Sequence, residues 1–170
     1  MIKYYNDLSV IELHVNGEAR KVTVRPADIL LDVLREQLGL TGAKAGCKNG
    51  DCGTCTILMD GLPVKSCLVL AVEAVGHELL TVEGLSGIAP IQNAFVKYHA
   101  FQCGYCTSGF LMVCHALATT KPDADEYEME RWLESNICRC TSYQEIRSAI
   151  TEVLDTASRQ TERSTYATIS

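Results

Sequence analysis

Nine cysteines in a chain of 170 residues constrain its fold more than any other feature of the sequence. Eight of them form two groups with short internal spacings, and the ninth, Cys114, stands apart. The cytosol keeps thiols reduced, and an odd number of cysteines leaves at least one without a disulfide partner. For an intracellular chain we therefore expect the two groups to bind metal rather than to form disulfides.

The first group begins in the stretch GCKNGDCGTC. Cys47, Cys52 and Cys55 have the C-x4-C-x2-C spacing of plant-type [2Fe–2S] ferredoxins. Cys67 supplies the distant fourth ligand. Glycines in this loop allow tight turns that direct backbone N–H groups at the sulfurs, and nearby lysines offset the negative charge of such a cluster. These residues are Gly46, Gly50, Gly53, Lys44 and Lys48.

The second group combines QCGYC, with Cys103 and Cys106, and NICRC, with Cys138 and Cys140. Cys106 precedes a predicted helix, whose free N–H groups and positive dipole end favour a thiolate. Cys138 and Cys140 are two residues apart, so an extended loop would point both side chains the same way. Four such thiolates suit a tetrahedral zinc ion as well as a second [2Fe–2S] cluster, and the spacing alone leaves both open.

The remaining cysteine and the absent motifs limit the chemistry further. Cys114 lies in the apolar stretch FLMVCHALA, which predicts an inert buried thiol on a helix. The sequence has no G-x-G-x-x-G after a strand, no phosphate loop, no H-E-x-x-H and no nucleophile paired with a base. We therefore predict no catalytic residue and no substrate site in this chain.

The first half of the chain has the pattern of an α+β module. Residues Ser9 to Val24 alternate apolar and polar side chains around Asn16-Gly17, which predicts a β-hairpin with a type I′ turn. A helix with Asp28 as its N-cap and Gly39 as its stop should follow and cover the hairpin. A second hairpin around Asp60-Gly61 and a strand over residues 78–82 complete the module.

From the stretch EGLSGIAP onward the pattern becomes helical. We predict a first domain over residues 1–82, a helical domain over 83–155, and a polar, disordered tail over 156–170. The four predicted helices, short enough for a small bundle, run from Pro90 to Ala100, Thr107 to Ala118, Asp125 to Glu134 and Tyr143 to Leu154.

Charge and hydropathy exclude two classes of partner. The net charge is -6 and no basic stripe is present, which argues against nucleic acid because phosphate binding needs clustered Lys and Arg. No run approaches 18 apolar residues, and the N-terminus lacks the charged-then-apolar order of a signal peptide. We expect a cytoplasmic protein without a membrane span.

Taken together, the motifs identify a resemblance. Three stretches carry it: LLDVLREQLGLTGAKAGCKNGDCGTCTILMDGLPVKSC, QCGYCTSG and NICRCTSYQEI. In this order they resemble the small iron–sulfur subunit of the molybdenum hydroxylases, the family of xanthine dehydrogenase and carbon monoxide dehydrogenase. The likeness covers about residues 9–155. It implies an N-terminal β-grasp domain like that of plant ferredoxins and a C-terminal four-helix bundle domain, each holding one [2Fe–2S] cluster.

The resemblance also implies roles and partners. The cluster of Cys103, Cys106, Cys138 and Cys140 would lie nearest molybdenum, and that of Cys47, Cys52, Cys55 and Cys67 nearer FAD. Gln102 and Cys140 match residues that approach the pterin, although a loop amide such as Gln102 can instead bond local backbone. Electrons would pass from a large subunit with molybdopterin, expected as the cytosine dinucleotide, to a medium subunit with FAD. The expected assembly is a dimer of heterotrimers.

The last expectations concern the substrate and three residues that differ from the family's usual pattern. A purine such as xanthine, or another N-heterocycle, is the expected substrate. The alternatives are the small subunit of a carbon monoxide or aldehyde dehydrogenase, and a stand-alone ferredoxin with a zinc-bound helical module. Ser108 replaces the family's usual Pro, and Ser135 and Ser142 replace Gly. A left-handed backbone at the two Gly positions would cost a serine about 1–2 kcal/mol.

Overall fold

The computed structural model describes residues 7–87, 89–141 and 143–167, with side chains in the last helix as far as Arg159. Its strands are β1 Ser9–Val15, β2 Glu18–Val24, β3 Thr56–Met59, β4 Leu62–Lys65 and β5 Glu78–Leu80. Its α-helices are α1 Leu30–Glu36, α2 Pro90–Lys97, α3 Thr107–Thr120, α4 Glu126–Leu133 and α5 Gln144–Ala167. Short 3₁₀ helices span Ser66–Leu68, Ala71–Ala74 and Val82–Leu85.

The five strands form one mixed sheet in the order β2-β1-β5-β3-β4. Both predicted hairpins are confirmed as antiparallel pairs, β1 with β2 and β3 with β4. β5 lies between them, parallel to β1 and antiparallel to β3, and so joins the two hairpins into one sheet. The sequence predicted the strands but not this order, because the β5 pairings depend on contacts far apart in the chain.

The turn chemistry explains why the hairpins close where they do. Asn16 and Gly17 have φ values of 55° and 81°, and Asp60 and Gly61 have 51° and 81°. A type I′ turn needs positive φ at both central residues, which Asn, Asp and Gly adopt most readily. The two hairpins are therefore fixed by local sequence.

Helix α1 covers the sheet with Leu30, Leu31 and Leu34, each fully buried. They pack with strand residues such as Leu13 in one hydrophobic core. The prediction that Asp28 caps this helix is wrong. Its carboxylate instead accepts hydrogen bonds from Arg25, from the backbone N–H at 2.8 Å and from Nε at 3.0 Å, which closes a turn before the helix.

Helices α2 to α5 share a second core, built around residues such as Phe95, Phe110 and Ile146. The predicted end of the last helix at Leu154 is wrong. The structure continues α5 to Ala167, through much of the predicted disordered tail, while residues 168–170 lie outside the described part. No Gly or Pro interrupts residues 155–167, and Ser158 Oγ anchors the extension by donating to Pro122 O at 2.8 Å.

The described helices include none that is both long and apolar enough to cross a lipid bilayer.

The two cores meet where α3 packs on β3 and β4. At this seam a Cβ on Gly109 would lie 2.2 Å from Gly53 O, a backbone atom that cannot move aside. A Cβ on Gly53, which has a φ of 73°, would lie 2.1 Å from Asn136 Oδ1. The two glycines therefore allow an approach that no other residue permits.

The first core sets a prediction for stability. Replacing Leu34, which is fully buried, with Ala should lower the free energy of unfolding by about 2–5 kcal/mol, because the truncation leaves a cavity against the sheet. The matched control is Leu62→Ala, since Leu62 is 59% exposed, and it should change stability by less than about 0.5 kcal/mol. Urea unfolding followed by circular dichroism measures both. Equal losses would contradict this assignment of the core.

Candidate metal centre

The first cysteine group is assembled by the loop before β3 and the turn after β4. Cys47, Cys52 and Cys55 lie in the loop, and Cys67 lies in the 3₁₀ helix that follows the β3–β4 hairpin. Ser66 fastens the two segments, because its Oγ donates to Cys55 O at 2.7 Å. The hairpin therefore carries the distant fourth thiol back to the other three.

These four thiols are arranged as two pairs. The backbone N–H of Cys52 donates to Cys47 Sγ at 3.4 Å, and the side chains of Cys55 and Cys67 are in hydrogen-bonding contact. Cys47 is exposed, whereas Cys55 and Cys67 are buried. One pair thus faces the surface and the other faces the core.

Backbone donors and burial act in opposite directions on these thiols. The N–H groups of Asn49 and Cys52 point at Cys47 Sγ and lower the pKa of this thiol to about 7. Burial raises the pKa of Cys55 to about 11. Backbone N–H groups therefore favour the thiolate at Cys47, whereas burial disfavours it at Cys55.

The second group lies between helices, as predicted. Cys106 is the N-cap of α3, and Cys103 precedes it in the same loop. Cys138 and Cys140 lie between α4 and α5. Cys103 Sγ and Cys140 Sγ are 3.5 Å apart, and the side chains of Cys106 and Cys138 are in contact.

The second group also has an inner and an outer pair. Cys103 and Cys140 are exposed, whereas Cys138 is only 8% exposed. Burial raises the pKa of Cys106 to about 12. Although burial opposes ionisation of Cys138, hydrogen bonds from the Thr141 hydroxyl at 3.1 Å and N–H at 3.3 Å lower its pKa.

The arrangement of two pairs in each group separates the two candidate metals. A [2Fe–2S] cluster has two irons and four thiolate ligands, so each iron takes a pair. A structural zinc needs all four sulfurs about 2.3 Å from one ion. The contacts within pairs, Cys103 with Cys140 and Cys106 with Cys138, suit the division of four thiolates between two irons.

One backbone hydrogen bond joins the two groups. The N–H of Ile137, next to Cys138, donates to Cys52 O at 3.0 Å. From Cys138 to Cys52 the chain thus offers a route made of covalent bonds and this single hydrogen bond. The two groups are neighbours in space although they are far apart in sequence.

Two protein-family models match the chain. The 2Fe-2S iron-sulfur cluster binding domain matches residues 13–79, and the [2Fe-2S] binding domain matches residues 81–151. Each range contains one complete group of four cysteines.

Curated relatives extend the match to nearly the whole chain. The nicotine 6-hydroxylase small subunit of Paenarthrobacter nicotinovorans is 46% identical over 85% of this chain and 89% of its own length. A subunit of a probable xanthine dehydrogenase from Bacillus subtilis is 42% identical over 76% of both chains. The chain belongs to the small iron–sulfur subunits of the molybdenum hydroxylases. The resemblance deduced from the sequence is confirmed.

Solved structures agree with this membership. In quinoline 2-oxidoreductase from Pseudomonas putida 86, a 44% identical chain matches with a TM-score of 0.84, over 90% of this chain and 98% of that one. The aldehyde oxidoreductase of Desulfovibrio desulfuricans is 37% identical with a TM-score of 0.81, but the match covers only 17% of that chain. The fold therefore occurs both as a separate chain and as part of a longer one.

For a molybdenum hydroxylase subunit the zinc interpretation of the second group is no longer needed, because the matching family model describes residues 81–151 as [2Fe-2S] binding. Local structure fits such a cluster. Among the described residues, Thr107 Oγ1 is buried without a hydrogen-bond partner, directly after Cys106. A cluster sulfur would provide the acceptor that this hydroxyl lacks. In the first group, a Cβ on Gly46 would lie 2.7 Å from Cys52 Sγ, so only glycine leaves room for this sulfur.

The structure places the predicted pterin contacts on one surface of this iron–sulfur subunit. Gln102 is exposed and directly precedes Cys103, and Cys140 is exposed beside Cys103. Both residues therefore present polar atoms outward next to the second cysteine group.

The two lysines predicted to offset the charge of the first group also contact other residues. Lys48 Nζ pairs with Asp32 at 3.1 Å, so its charge is already compensated. Lys44 Nζ donates to Gly42 O at 2.8 Å and contacts Ser108 Oγ. Its ammonium is therefore close to Cys106, in the second cysteine group. The residue that the sequence analysis missed is Lys65. The hairpin register provided a signal for it, because Lys65 is two residues before Cys67 and pairs with the residue after Cys55.

The three serines that replace the family's usual Pro and Gly differ in their surroundings. Ser135 does not have a positive φ, so the strain expected from replacing a left-handed glycine is absent there. Ser108 is buried in the first turn of α3, and its Oγ accepts from Lys44 Nζ at 3.4 Å. Ser142 lies outside the described residues.

Cys114 is fully buried, and burial raises its pKa far above the usual range, as expected for an inert thiol.

Thr107 supplies a test of the fit. In Thr107→Val the reduced second cluster loses a hydrogen-bond donor, so its midpoint potential should fall by on the order of 59 mV for a loss of about 1.4 kcal/mol. Thr107→Ser keeps the hydroxyl and should stay near the wild-type value. Redox titration followed by EPR measures both, and equal potentials in all three proteins would show that the hydroxyl does not face the cluster.

Proposed function

We propose that the eight grouped cysteines are the ligands of two [2Fe–2S] clusters. Cys47 and Cys52 would hold one iron of the first cluster and Cys55 and Cys67 the other. Cys103 with Cys140, and Cys106 with Cys138, would divide the second cluster in the same way. The contacts between pairs support this assignment. When bound, each cluster supplies one-electron transfer.

The observation that carries the proposed function is the hydrogen bond from Ile137 N–H to Cys52 O. An iron–sulfur subunit with two clusters needs a short, fixed connection between them. Ile137 is covalently next to Cys138, and Cys52 belongs to the other group. The chain's own backbone thus supplies that connection without a solvent-filled gap.

We also propose a direction of electron transfer between the two exposed faces. We propose that Gln102 and Cys140 lie against a molybdopterin cofactor, as the cytosine dinucleotide, in a large partner subunit. The outer face at Cys47 would approach FAD in a medium subunit. Electrons would enter at the Gln102 face and leave at the Cys47 face. The exposure of Cys140 and of Cys47 supports these two contact points, and we propose a dimer of heterotrimers as the assembly.

We propose an N-heterocycle as the substrate of the complex, with a purine such as xanthine as one member of that class. Relatives named for nicotine, nicotinate and caffeine are 46%, 41% and 44% identical to this chain. The aldehyde alternative has support from the aldehyde oxidoreductase iron-sulfur-binding subunit PaoA of Escherichia coli, at 38% identity. Activity of the purified complex on nicotine, nicotinate, quinoline, xanthine and an aromatic aldehyde distinguishes these classes.

The domain organisation is also part of the proposal. The two separate hydrophobic cores support a ferredoxin-like domain over residues 1–82 and a helical domain over 83–155. Contacts of α5 with α2 and α3, and of α3 with α4, support a four-helix bundle. We propose the cytoplasm as the location, since all nine cysteines are free.

The ligand assignment predicts that one substitution abolishes the EPR signal of only one cluster. Cys138→Ser should abolish the EPR signal of the second cluster and leave that of the first, because each group is built from its own segments. The matched control Cys114→Ser, which removes the ungrouped thiol, should keep both signals. Wild-type protein should contain about four iron and four labile sulfide per chain.

Three results would contradict the proposal. Loss of both signals in Cys138→Ser would show that the two sites do not form independently. Zinc in place of half the iron would support the alternative of a zinc-bound helical module. Purification of the native protein alone, without molybdenum and flavin polypeptides, would favour a stand-alone ferredoxin.

A further inference from the structure

Lys65 occupies a position that the ligand assignment does not explain. It is the last residue of β4, opposite Thr56 in the β3–β4 pairing. Thr56 follows Cys55, and Lys65 comes two residues before Cys67. Its Nζ donates to Thr56 Oγ1 at 3.2 Å, so the ammonium lies close to the residue that follows Cys55.

The ammonium group also reaches across the seam. Lys65 Nζ donates to Ser135 O at 2.7 Å, to Asn136 Oδ1 at 3.0 Å and to Thr56 Oγ1 at 3.2 Å. An ammonium has three N–H donors, so all of them are used. Two of the three acceptors belong to the segment that leads into Cys138.

These contacts close a ring of hydrogen bonds around Gly53. Thr56 Oγ1 donates to Gly53 O at 2.7 Å, and Asn136 Nδ2 donates to the same oxygen at 3.3 Å. Lys65 joins Thr56 to Asn136 on the other side. Asn136 is only 2% exposed and directly precedes Ile137, whose N–H bonds Cys52 O. The ring thus holds the residue that makes the connection between the two groups.

The charge of Lys65 has no carboxylate partner. No Asp or Glu in the described ranges forms an ion pair with it, and its side chain is partly buried. Burial lowers the pKa of Lys65, while the first cysteine group, as thiolates, acts in the opposite direction. A buried cation without a counter-charge is costly. A negatively charged cluster at the four thiolates would supply the missing charge.

We propose that Lys65 is a positioning residue that clamps segment 135–137 against the first cysteine group, and that its positive charge raises the reduction potential of the cluster there. This inference rests on the proposed function, because it takes the eight cysteines as ligands. A cluster gains negative charge when it is reduced, so a nearby cation stabilises the reduced form. Lys65 would then draw electrons from the second cluster toward the first.

The experiment compares Lys65→Met with Lys65→Arg in the protein as purified with its subunits. Lys65→Met should change the equilibrium for electron sharing between the clusters by about tenfold, equivalent to about 59 mV, through a lower potential of the first cluster. It should also weaken the magnetic interaction between the two reduced clusters in EPR spectra. Lys65→Arg keeps the charge and should keep the potential of the first cluster.

Two further variants separate the effect of the Lys65 charge from its effect on the position of segment 135–137. Lys48→Met removes a cation that is 53% exposed and paired with Asp32, so solvent screens the lost charge and the potential should fall much less than in Lys65→Met. Asn136→Ala keeps Lys65 but removes its buried partner, so it should weaken the magnetic interaction more than it lowers the potential. If Lys65→Met does not assemble its clusters, Lys65→Gln, which keeps a donor without the charge, must show the same fall in potential.

The outcomes are decisive in both directions. An unchanged first-cluster potential in Lys65→Met, or an equal fall in Lys48→Met, would overturn the electrostatic role. An unchanged magnetic interaction in Lys65→Met and Asn136→Ala would overturn the clamp. Iron and sulfide analysis of the wild type tests the proposed function separately, because a protein without two clusters fails before any Lys65 variant is compared.

Discussion

The close approach of Gly53 and Gly109 is the constraint on which the rest of this structure depends. A Cβ on Gly109 would lie 2.2 Å from Gly53 O, so only hydrogen at this position lets α3 rest on the loop of the first cysteine group. That contact leaves room for Asn136 to bond Gly53 O, and Ile137 then reaches Cys52 O. Because each side of the seam has its own core, the distance between the two groups is set here and not within either core.

Burial is distributed in the same way at both groups. Cys47 and Cys103 represent the outer pairs, which are open to solvent or partners, while Cys55 and Cys138 represent the inner pairs. Outer thiols receive backbone N–H bonds, which lower the pKa of Cys47 to about 7. Burial raises the pKa of the inner thiol Cys55, whereas hydrogen bonds from Thr141 outweigh burial at Cys138 and lower its pKa. Each group therefore has an exposed side and a buried side.

Sequence alone predicted the parts of this molecule that depend on local chemistry. The Asn16-Gly17 and Asp60-Gly61 turns, the helix that begins after Cys106 and the membership of the two cysteine groups all follow from short segments. Two predictions failed. The Asp28 carboxylate accepts hydrogen bonds from Arg25 instead of capping α1, and α5 continues past Leu154.

What the sequence could not predict are contacts between distant segments. Lys48 is adjacent to the first group in sequence and was predicted as its cation for that reason, yet Asp32 neutralises it. Lys65 acquires its position only when β4 pairs with β3 and when residues 135–136 dock on the loop. A cation near a cluster is thus identified by strand register and by the absence of a carboxylate partner, and only the first of these is visible in the sequence.

Three contacts that join the two groups lie within this one chain. They are Gly53 with Gly109, Cys52 with Ile137, and Lys65 with Asn136. This explains how similar folds occur as a separate chain in quinoline 2-oxidoreductase and as 17% of a longer chain in an aldehyde oxidoreductase. A unit that fixes its own internal connection keeps the spacing of its two cysteine groups in either setting.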